Sequence, residues 1–292
     1  MTINQLINQF NQFLTVQKQR SQHTIQNYCR DIEQFFFILE INDPNKILDH
    51  HIHQYLNHLS TNDIGQRSIH RKMSSLDQFW RYLVHEDYCQ LNPWTSVRRP
   101  KISQKIPVYI EEKAMFELLN NYPRETVLNK RNIAILELLF SSGIRVNELV
   151  QLTLENIDFT HQECRVFGKG SKERIALFGS RAKVAIQHYL NDAHLVWDFG
   201  KTNRLFISKQ GQPITIRTVQ RIVKDANQYH SSTVEITPHA CRHTCASMLI
   251  SNGAGIRDIQ ELLGHSSITT TERYSHIPTK TLTKRYLNAI EE

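Results

Sequence analysis

The stretch Thr237-Pro238-His239-Ala240-Cys241-Arg242-His243, followed by Leu263-Gly264-His265 and, nine residues on, by Tyr274, decides how this chain is read. Thr237 suits an N-cap and Pro238 the first helical position, where a missing N–H costs nothing. The pattern predicts a helix from here toward Asn252-Gly253. His239 and Arg242, at i and i+3, share one face of its first turn, beside N-terminal amides that help to hold an anion. Ile256 to Leu263 is apolar at 256, 259, 262 and 263, which reads as a short helix ending at Gly264, a favoured residue just past a helix end. His265 is then delivered just beyond that end. Thr269 and Glu272 have capping-box spacing, which puts Tyr274 late in a short helical turn before the break at Pro278. Two histidines, an arginine and a tyrosine in one such segment suit phosphoryl transfer through a tyrosine nucleophile.

Upstream, Arg131 to Phe140 is a strongly apolar helical run closed by Ser141-Ser142-Gly143, and Arg145 follows. A guanidinium just after a helix break is placed to fork onto phosphate oxygens. Cys164 to Phe167 and Arg174 to Phe178 read as two short strands, joined by Gly168-Lys169-Gly170-Ser171-Lys172-Glu173. Glycine on both sides of Lys169 signals a turn, leaving Lys169 on a hairpin tip within reach of a ligand lying over the domain.

Each feature alone has a plainer structural reading. A lone His-x-x-Arg is more often a surface or capping pair, a late tyrosine is core or interface, Arg145 is a salt-bridge partner, and Gly-Lys-Gly is a solvated turn. Their joint occurrence argues for chemistry. The run His239 to Cys245 also invites a zinc assignment, but its alternating ligands fall on a helix as two pairs about 200° apart, so they do not converge on one tetrahedral metal. Nor does a glutamate occupy the zincin position between the histidines.

The front of the chain is helical. Ile3, Leu6, Ile7, Phe10, Phe13 and Leu14 mark one amphipathic helix, and Ile25, Tyr28, Ile32, Phe35 and Phe36 a second. A third runs near Ile52 to Leu59. The fourth carries Ile69, Met73, Leu76, Phe79, Trp80 and Leu83, and Asn92-Pro93-Trp94 ends the bundle. Arg98-Arg99-Pro100-Lys101-Ile102-Ser103-Gln104-Lys105-Ile106-Pro107 is then cationic and without apolar period, either a solvated hinge or a linker touching a phosphate backbone. Thr281 to Glu292 reads as a last helix, docking on its own domain or on a neighbouring protomer.

The chain of 292 residues has room for two domains with separate cores, and a net charge of +7 permits nucleic-acid binding. Five cysteines without paired CxxC motifs argue against a secreted disulfide framework. No signal peptide or long apolar run is present, so the expected location is cytoplasmic, with no membrane partner.

Taken in order, Gly143-Ile144-Arg145-Val146-Asn147-Glu148-Leu149, Gly168-Lys169 through Arg174, Pro238-His239-x-x-Arg242-His243, Leu262-Leu263-Gly264-His265 and Thr270-Thr271-x-x-Tyr274 resemble the tyrosine recombinases of the Xer type. Order and spacing both fit across roughly 108 to 276. The chain departs from the pattern at Cys241 and Cys245, where bulkier apolar residues are usual; both are expected on the packing side of the helix.

The resemblance implies a mainly α fold with a small β-sheet. Residues 1–97 would be an N-terminal helical bundle, a SAM-like core-binding domain; 98–107 a basic linker; and 108–292 a mixed α/β catalytic domain with a C-terminal tail helix. It implies a site-specific recombinase that cleaves and rejoins DNA strands through a 3′-phosphotyrosyl intermediate, in chromosome or plasmid dimer resolution. By charge accounting Arg145 and Arg242 clamp the phosphate. Lys169 protonates the leaving 5′-oxygen by resemblance, His239 assists as base, His265 orders the phosphate or the nucleophile, and Tyr274 attacks. Arg98, Arg99, Lys101, Lys105 and Lys172 are candidate DNA contacts. Expected partners are double-stranded DNA, a homo- or hetero-tetramer on two sites, a second recombinase and a septal DNA translocase; no cofactor is implied. The first helix begins almost at Met1, so an accessory-site module like that of some phage integrases is expected to be absent. Three other readings stay open: a mobile-element integrase or resolvase, a type IB topoisomerase-like enzyme, and a sequence-specific binder that never cuts.

Overall fold

The computed structural model describes residues 1–99, 110–168 and 173–251, together with 255, 259, 262 and 263. The chain divides into two compact units, Met1–Gln104 and Lys105–Glu292.

In the first unit four helices follow the apolar periods of the sequence: α1 (Ile3–Val16), α2 (Gln22–Leu39), α3 (Asp49–Thr61) and α4 (Gln66–His85). Local chemistry fixes the starts of the first two. Thr2 and Gln5 form a capping box on α1, and the Ser21 hydroxyl accepts from the Thr24 N–H on α2. The buried faces converge on an aromatic centre in which Phe35 meets Tyr55, Trp80 and Trp94 edge-on. Trp94 arrives through the predicted bundle-ending turn, where the Asn92 side-chain oxygen accepts from its N–H at 3.0 Å.

Buried charged groups on α2 and α4 interrupt this apolar packing. Asp31 on α2 is buried and is met from α4 by Arg71, by Lys72 Nζ at 3.2 Å and by the Ser75 hydroxyl at 2.7 Å. Lys72 is itself buried and also reaches Gln34. The network fixes the register of α2 against α4, because a buried charge that lost its partner would be strongly disfavoured.

The second unit is built around α6 (Val127–Ser142), mostly apolar and buried on every side from Ile133 onward. Around it pack α5 (Glu112–Asn121), α8 (Ser180–Val196), α9 (Ile216–Ala226) and α10 (Pro238–Ser251). A four-residue helix, α7 (Val146–Leu149), follows α6 directly. The sheet has the order β1 (Ile157–Asp158), β2 (Glu163–Phe167), β3 (Glu173–Leu177) and is antiparallel throughout. Phe167 pairs with Glu173, so the connection bearing Lys169 is anchored at both ends.

Several expectations need adjustment. Both predicted strands start one residue earlier, and Phe178 leaves the ladder because its N–H bonds the Gln162 carbonyl at 2.9 Å. Strand β1 and helices α5, α8 and α9 are additions to the motif-led reading, although α8 carries a plain helical period in Ala182, Ile186, Tyr189, Leu190 and Ala193. Helix α10 begins as predicted: the Thr237 hydroxyl accepts from the Ala240 N–H at 3.1 Å. Cys241 and Cys245 are buried on its packing side while His239 and His243 are exposed.

Of the predicted helix from Ile256 to Leu263, only Ile259, Leu262 and Leu263 are described, and all three are helical. The hairpin tip with Lys169 and Lys172, the linker positions Lys101 and Lys105, and the segment with His265, Thr269, Glu272, Tyr274 and the helix from Thr281 to Glu292 lie outside the described residues.

The Asp31 network yields a test. Asp31→Ala is expected to lower the unfolding free energy by about 3–5 kcal/mol by stranding the Lys72 charge, and adding Lys72→Met should recover much of the loss. Urea unfolding of the three chains measures this; the same deficit with and without Lys72 would contradict the stranded-charge account.

Candidate active site

Helix α6 ends because Gly143 takes a left-handed conformation with φ 59°. A side chain there would also collide with its surroundings, since a Cβ would lie 2.6 Å from Leu263 Cδ2 and 3.3 Å from Cys245 Sγ. The tight turn aims the Gly143 carbonyl at α10, where Arg242 Nη1 donates to it at 2.6 Å. Arg242 Nη2 donates to the Leu263 carbonyl. Buried to 7% exposure, Arg242 is thus locked between two main-chain oxygens from distant parts of the sequence.

Two residues past Gly143, Arg145 caps α7. Its backbone N–H donates to Glu148 Oε2 at 2.8 Å and its Nη1 to Glu148 Oε1 at 3.0 Å. Strand β3 supplies a third guanidinium: Arg174 Nη2 donates to Glu148 Oε2 at 2.9 Å and its Nε to the Leu262 carbonyl at 3.2 Å. Three arginines from α7, β3 and α10 therefore surround one carboxylate whose side chain is only 2% exposed.

The charges are unbalanced, and the titration behaviour reflects it. Burial, then the charges of Arg145 and Arg174, pull the Arg242 pKa down to about 10, against the opposing pull of Glu148. Arg242 still carries its charge at neutral pH. For Glu148, burial acts to raise the pKa, but hydrogen bonds from Arg174 and Arg145 and the Arg174 charge outweigh it, so the carboxyl sits below its ordinary value. Among the described residues, Glu148 and these three arginines together carry net positive charge in a partly desolvated place, where an anionic ligand gains most.

Of the predicted site residues, Arg145 and Arg242 are brought together. His239 lies exposed on the first turn of α10, three residues before Arg242. Arg98 is exposed, whereas Arg99 folds back on its own unit, donating to the Ser74 hydroxyl at 3.1 Å and to Asp77 Oδ2 at 3.2 Å. Two members of the cluster, Glu148 and Arg174, are missing from the set read from the sequence. Glu148 carries a signal there, the capping-box spacing from Arg145; Arg174 carries none beyond its place in a strand.

Comparison with known proteins bears on the fold and the family. Residues 109–280 match the phage integrase family, and residues 7–87 match the N-terminal SAM-like domain of phage integrases. The tyrosine recombinase XerC of Pediococcus pentosaceus is 37% identical, over 97% of this chain and 96% of that one. Among solved structures, a XerA recombinase crystal structure aligns with a TM-score of 0.51 at 27% identity, covering 97% of each chain. A lambda integrase dimer bound to a COC′ core site aligns at 0.70 with 18% identity, over 91% of this chain and 96% of that one, a likeness of fold. The chain belongs to the phage integrase family, as a Xer-like tyrosine recombinase, an enzyme of site-specific DNA recombination. Its fold is the mainly helical two-part architecture of that family, and among the described residues no helix is long and apolar enough to cross a membrane.

Glu148 makes the cluster testable by pH. A carboxyl with a lower pKa folded than unfolded binds fewer protons in the native state, so its stabilisation is complete above the ordinary value of 4.5 and is lost as pH falls through the depressed one. Glu148→Gln should be less stable than wild type at neutral pH, and the gap should close as pH drops below 4.5. Denaturant melts of both chains between pH 3 and 7, roughly the carboxylate range and above, measure it; a gap independent of pH would refute the charged role of Glu148.

Proposed function

We propose that the chain cleaves and rejoins double-stranded DNA through a 3′-phosphotyrosyl intermediate, with Tyr274 as the nucleophile. The observation that carries this reading is the ring of Arg145, Arg174 and Arg242 about the single carboxylate of Glu148, a preformed cationic site within one folded unit. Attack on a phosphodiester builds negative charge on the non-bridging oxygens while the 5′-oxygen departs. Preorganised guanidinium groups stabilise that charge without reorganising at the moment of reaction. Arg145 and Arg242 take this role, Lys169 protonates the departing 5′-oxygen, His239 draws the proton from the tyrosine, and His265 orders the phosphate or the nucleophile. Attack by the 5′-hydroxyl of the partner strand reverses the step. Because the covalent link conserves the energy of the phosphodiester, the cycle needs no nucleotide and no metal.

On this reading residues 1–97 and 108–292 both bind the duplex, joined by the linker 98–107, with Arg98, Lys101, Lys105 and Lys172 at the backbone; Arg99 reaches it only by giving up its contacts to Asp77 and Ser74. Four protomers act on two sites. The curated relatives are named tyrosine recombinase XerC, which favours a Xer role over a mobile-element one; the proposal extends this to dimer resolution on chromosomes or plasmids, with a second recombinase and a septal DNA translocase as partners. The location that follows is the cytoplasm.

Sequencing the DNA that the wild-type chain traps covalently in cells identifies the core site. On that site Tyr274→Phe should bind normally and form no denaturant-resistant adduct, because only the attacking oxygen is lost. Adduct formation by this variant would overturn the assignment. Replacing Arg145 or Arg242 by Ala should slow cleavage by about 10² to 10³, as for loss of one preorganised donor. Lys169→Ala should be similarly slow on ordinary DNA yet recover when sulfur replaces the bridging 5′-oxygen, since a thiolate leaves without protonation. Failure of all three variants alike on the sulfur substrate would contradict Lys169 as the acid.

A further inference from the structure

Arg174 lies outside the set of groups given a chemical role above, yet it bonds both the carboxylate beside Arg145 and the chain just before His265. It is the second residue of β3, five residues after Lys169, and its main chain is fixed opposite Val166 in the sheet. Its side chain is largely buried, with 15% of its surface exposed. One arm of the guanidinium binds Glu148 of α7, the carboxylate that also holds Arg145. Its Nε binds the carbonyl of Leu262, three residues before His265. The adjoining carbonyl, Leu263, is held by Arg242. Two consecutive main-chain oxygens are thus gripped by two guanidinium groups, one belonging to the hairpin and one to the phosphate clamp.

A surplus charge for the ligand alone does not account for this geometry. A guanidinium that served only as field would have no reason to spend its rigid fork on a side chain of one element and a carbonyl of another. Each contact joins pieces distant in sequence, residue 148 to residue 174 and residue 174 to residue 262. Among the described residues Arg174 Nη1 is also buried without a hydrogen-bond partner. A donor left in that state is disfavoured, so the side chain is held there by its two other contacts.

We propose that Arg174 is a positioning residue for the cleavage reaction: it fixes the Lys169 hairpin relative to the clamp arginine Arg145 and to the chain that leads to His265 and Tyr274. This rests on the catalytic roles given under the proposed function. The acid on the hairpin and the phosphate held by the clamp must meet within hydrogen-bond reach for the 5′-oxygen to leave protonated. Between them the described chain offers one side chain bonded to both the Arg145 partner and the carbonyl run before His265. Removing it frees the hairpin to shift, and a displacement near 1 Å in such a site costs on the order of 10²-fold in rate.

The test uses the full-length chain and a nicked duplex of the covalently trapped core site, with single-turnover adduct formation as the readout. Arg174→Met is expected to bind this duplex within a few fold of wild type and to form adduct about 10²-fold more slowly. Arg174→Lys, which keeps the charge but cannot fork, should be comparably slow. With sulfur at the bridging 5′-position both variants should regain much of the lost rate, because the hairpin lysine is then not required. Combined with Lys169→Ala, Arg174→Met should add little further loss on ordinary DNA, since both remove the same proton delivery.

Wild-type rates in Arg174→Lys would show that charge alone matters and overturn the proposal. Losses that multiply in the double variant would overturn it as well, as would the absence of sulfur rescue. If Arg174→Met does not fold, the lysine variant carries the same comparisons. A wild-type chain that forms no adduct at all would instead overturn the strand-cleavage reading, and this inference with it.

Discussion

The Glu148 carboxylate is the constraint on which the second unit's chemistry depends. Three guanidinium groups at close range repel one another, and without an anion among them a partly buried cluster of this kind would come apart. Glu148 compensates only part of that charge. A fuller compensation, with one carboxylate per arginine, would leave a stable but inert salt-bridge knot. None at all would leave the arginines in solvent. The intermediate count keeps the cations in place and leaves Glu148 and the three arginines, taken together, with net positive charge, which favours an anionic ligand.

The supporting structure serves the same end by rigid means. Helix α6, buried on all sides from Ile133 onward, forms the axle of the domain, and the left-handed turn at Gly143 lets the chain pass from that axle to Arg145 within two residues. Helix α10 is held against it by apolar packing through Cys241 and Met248, and Cys245 donates to the Ser141 carbonyl at 3.2 Å. The small thiols at 241 and 245 fit this place. Cys245 lies where a Cβ on residue 143 would come within 3.3 Å of its sulfur, so there is little spare room between α10 and the turn. The first unit solves a different problem. Its core is aromatic, and one of its buried carboxylates, Asp31, fixes register between two helices.

Much of this was legible in the sequence, for identifiable reasons. Helices α1 to α4 carry strong apolar periods, the start of α10 is written in Thr237-Pro238, and the end of α6 in Gly143. Each is a local signal, and the structure follows it. Arg145 and Arg242 could be paired because both stand at helix termini, where spacing and capping chemistry restrict the possibilities. Glu148 and Arg174 were not legible as members of the site, because their roles arise from contacts across long sequence separations that no local rule encodes. Strand β1, two residues long, is likewise defined only by its pairing to Cys164 and Glu163. Arg99 illustrates the converse: its basic, proline-flanked context suggests a solvated linker, yet Asp77 and Ser74 of α4 bind it.

The grip on Leu262 and Leu263 is made through carbonyl oxygens, and this determines which sequence changes the family can accept there. Main-chain oxygens are common to every residue type, so a substitution at either position that preserves its apolar packing leaves both guanidinium contacts intact. An insertion or deletion between Gly255, whose carbonyl accepts from Ile259, and Leu263 is another matter. It would present the arginines with different main-chain oxygens, or none. Divergence in this segment is therefore expected to proceed by exchange of side chains at constant length, so that the length of the segment carries more information about function than its composition.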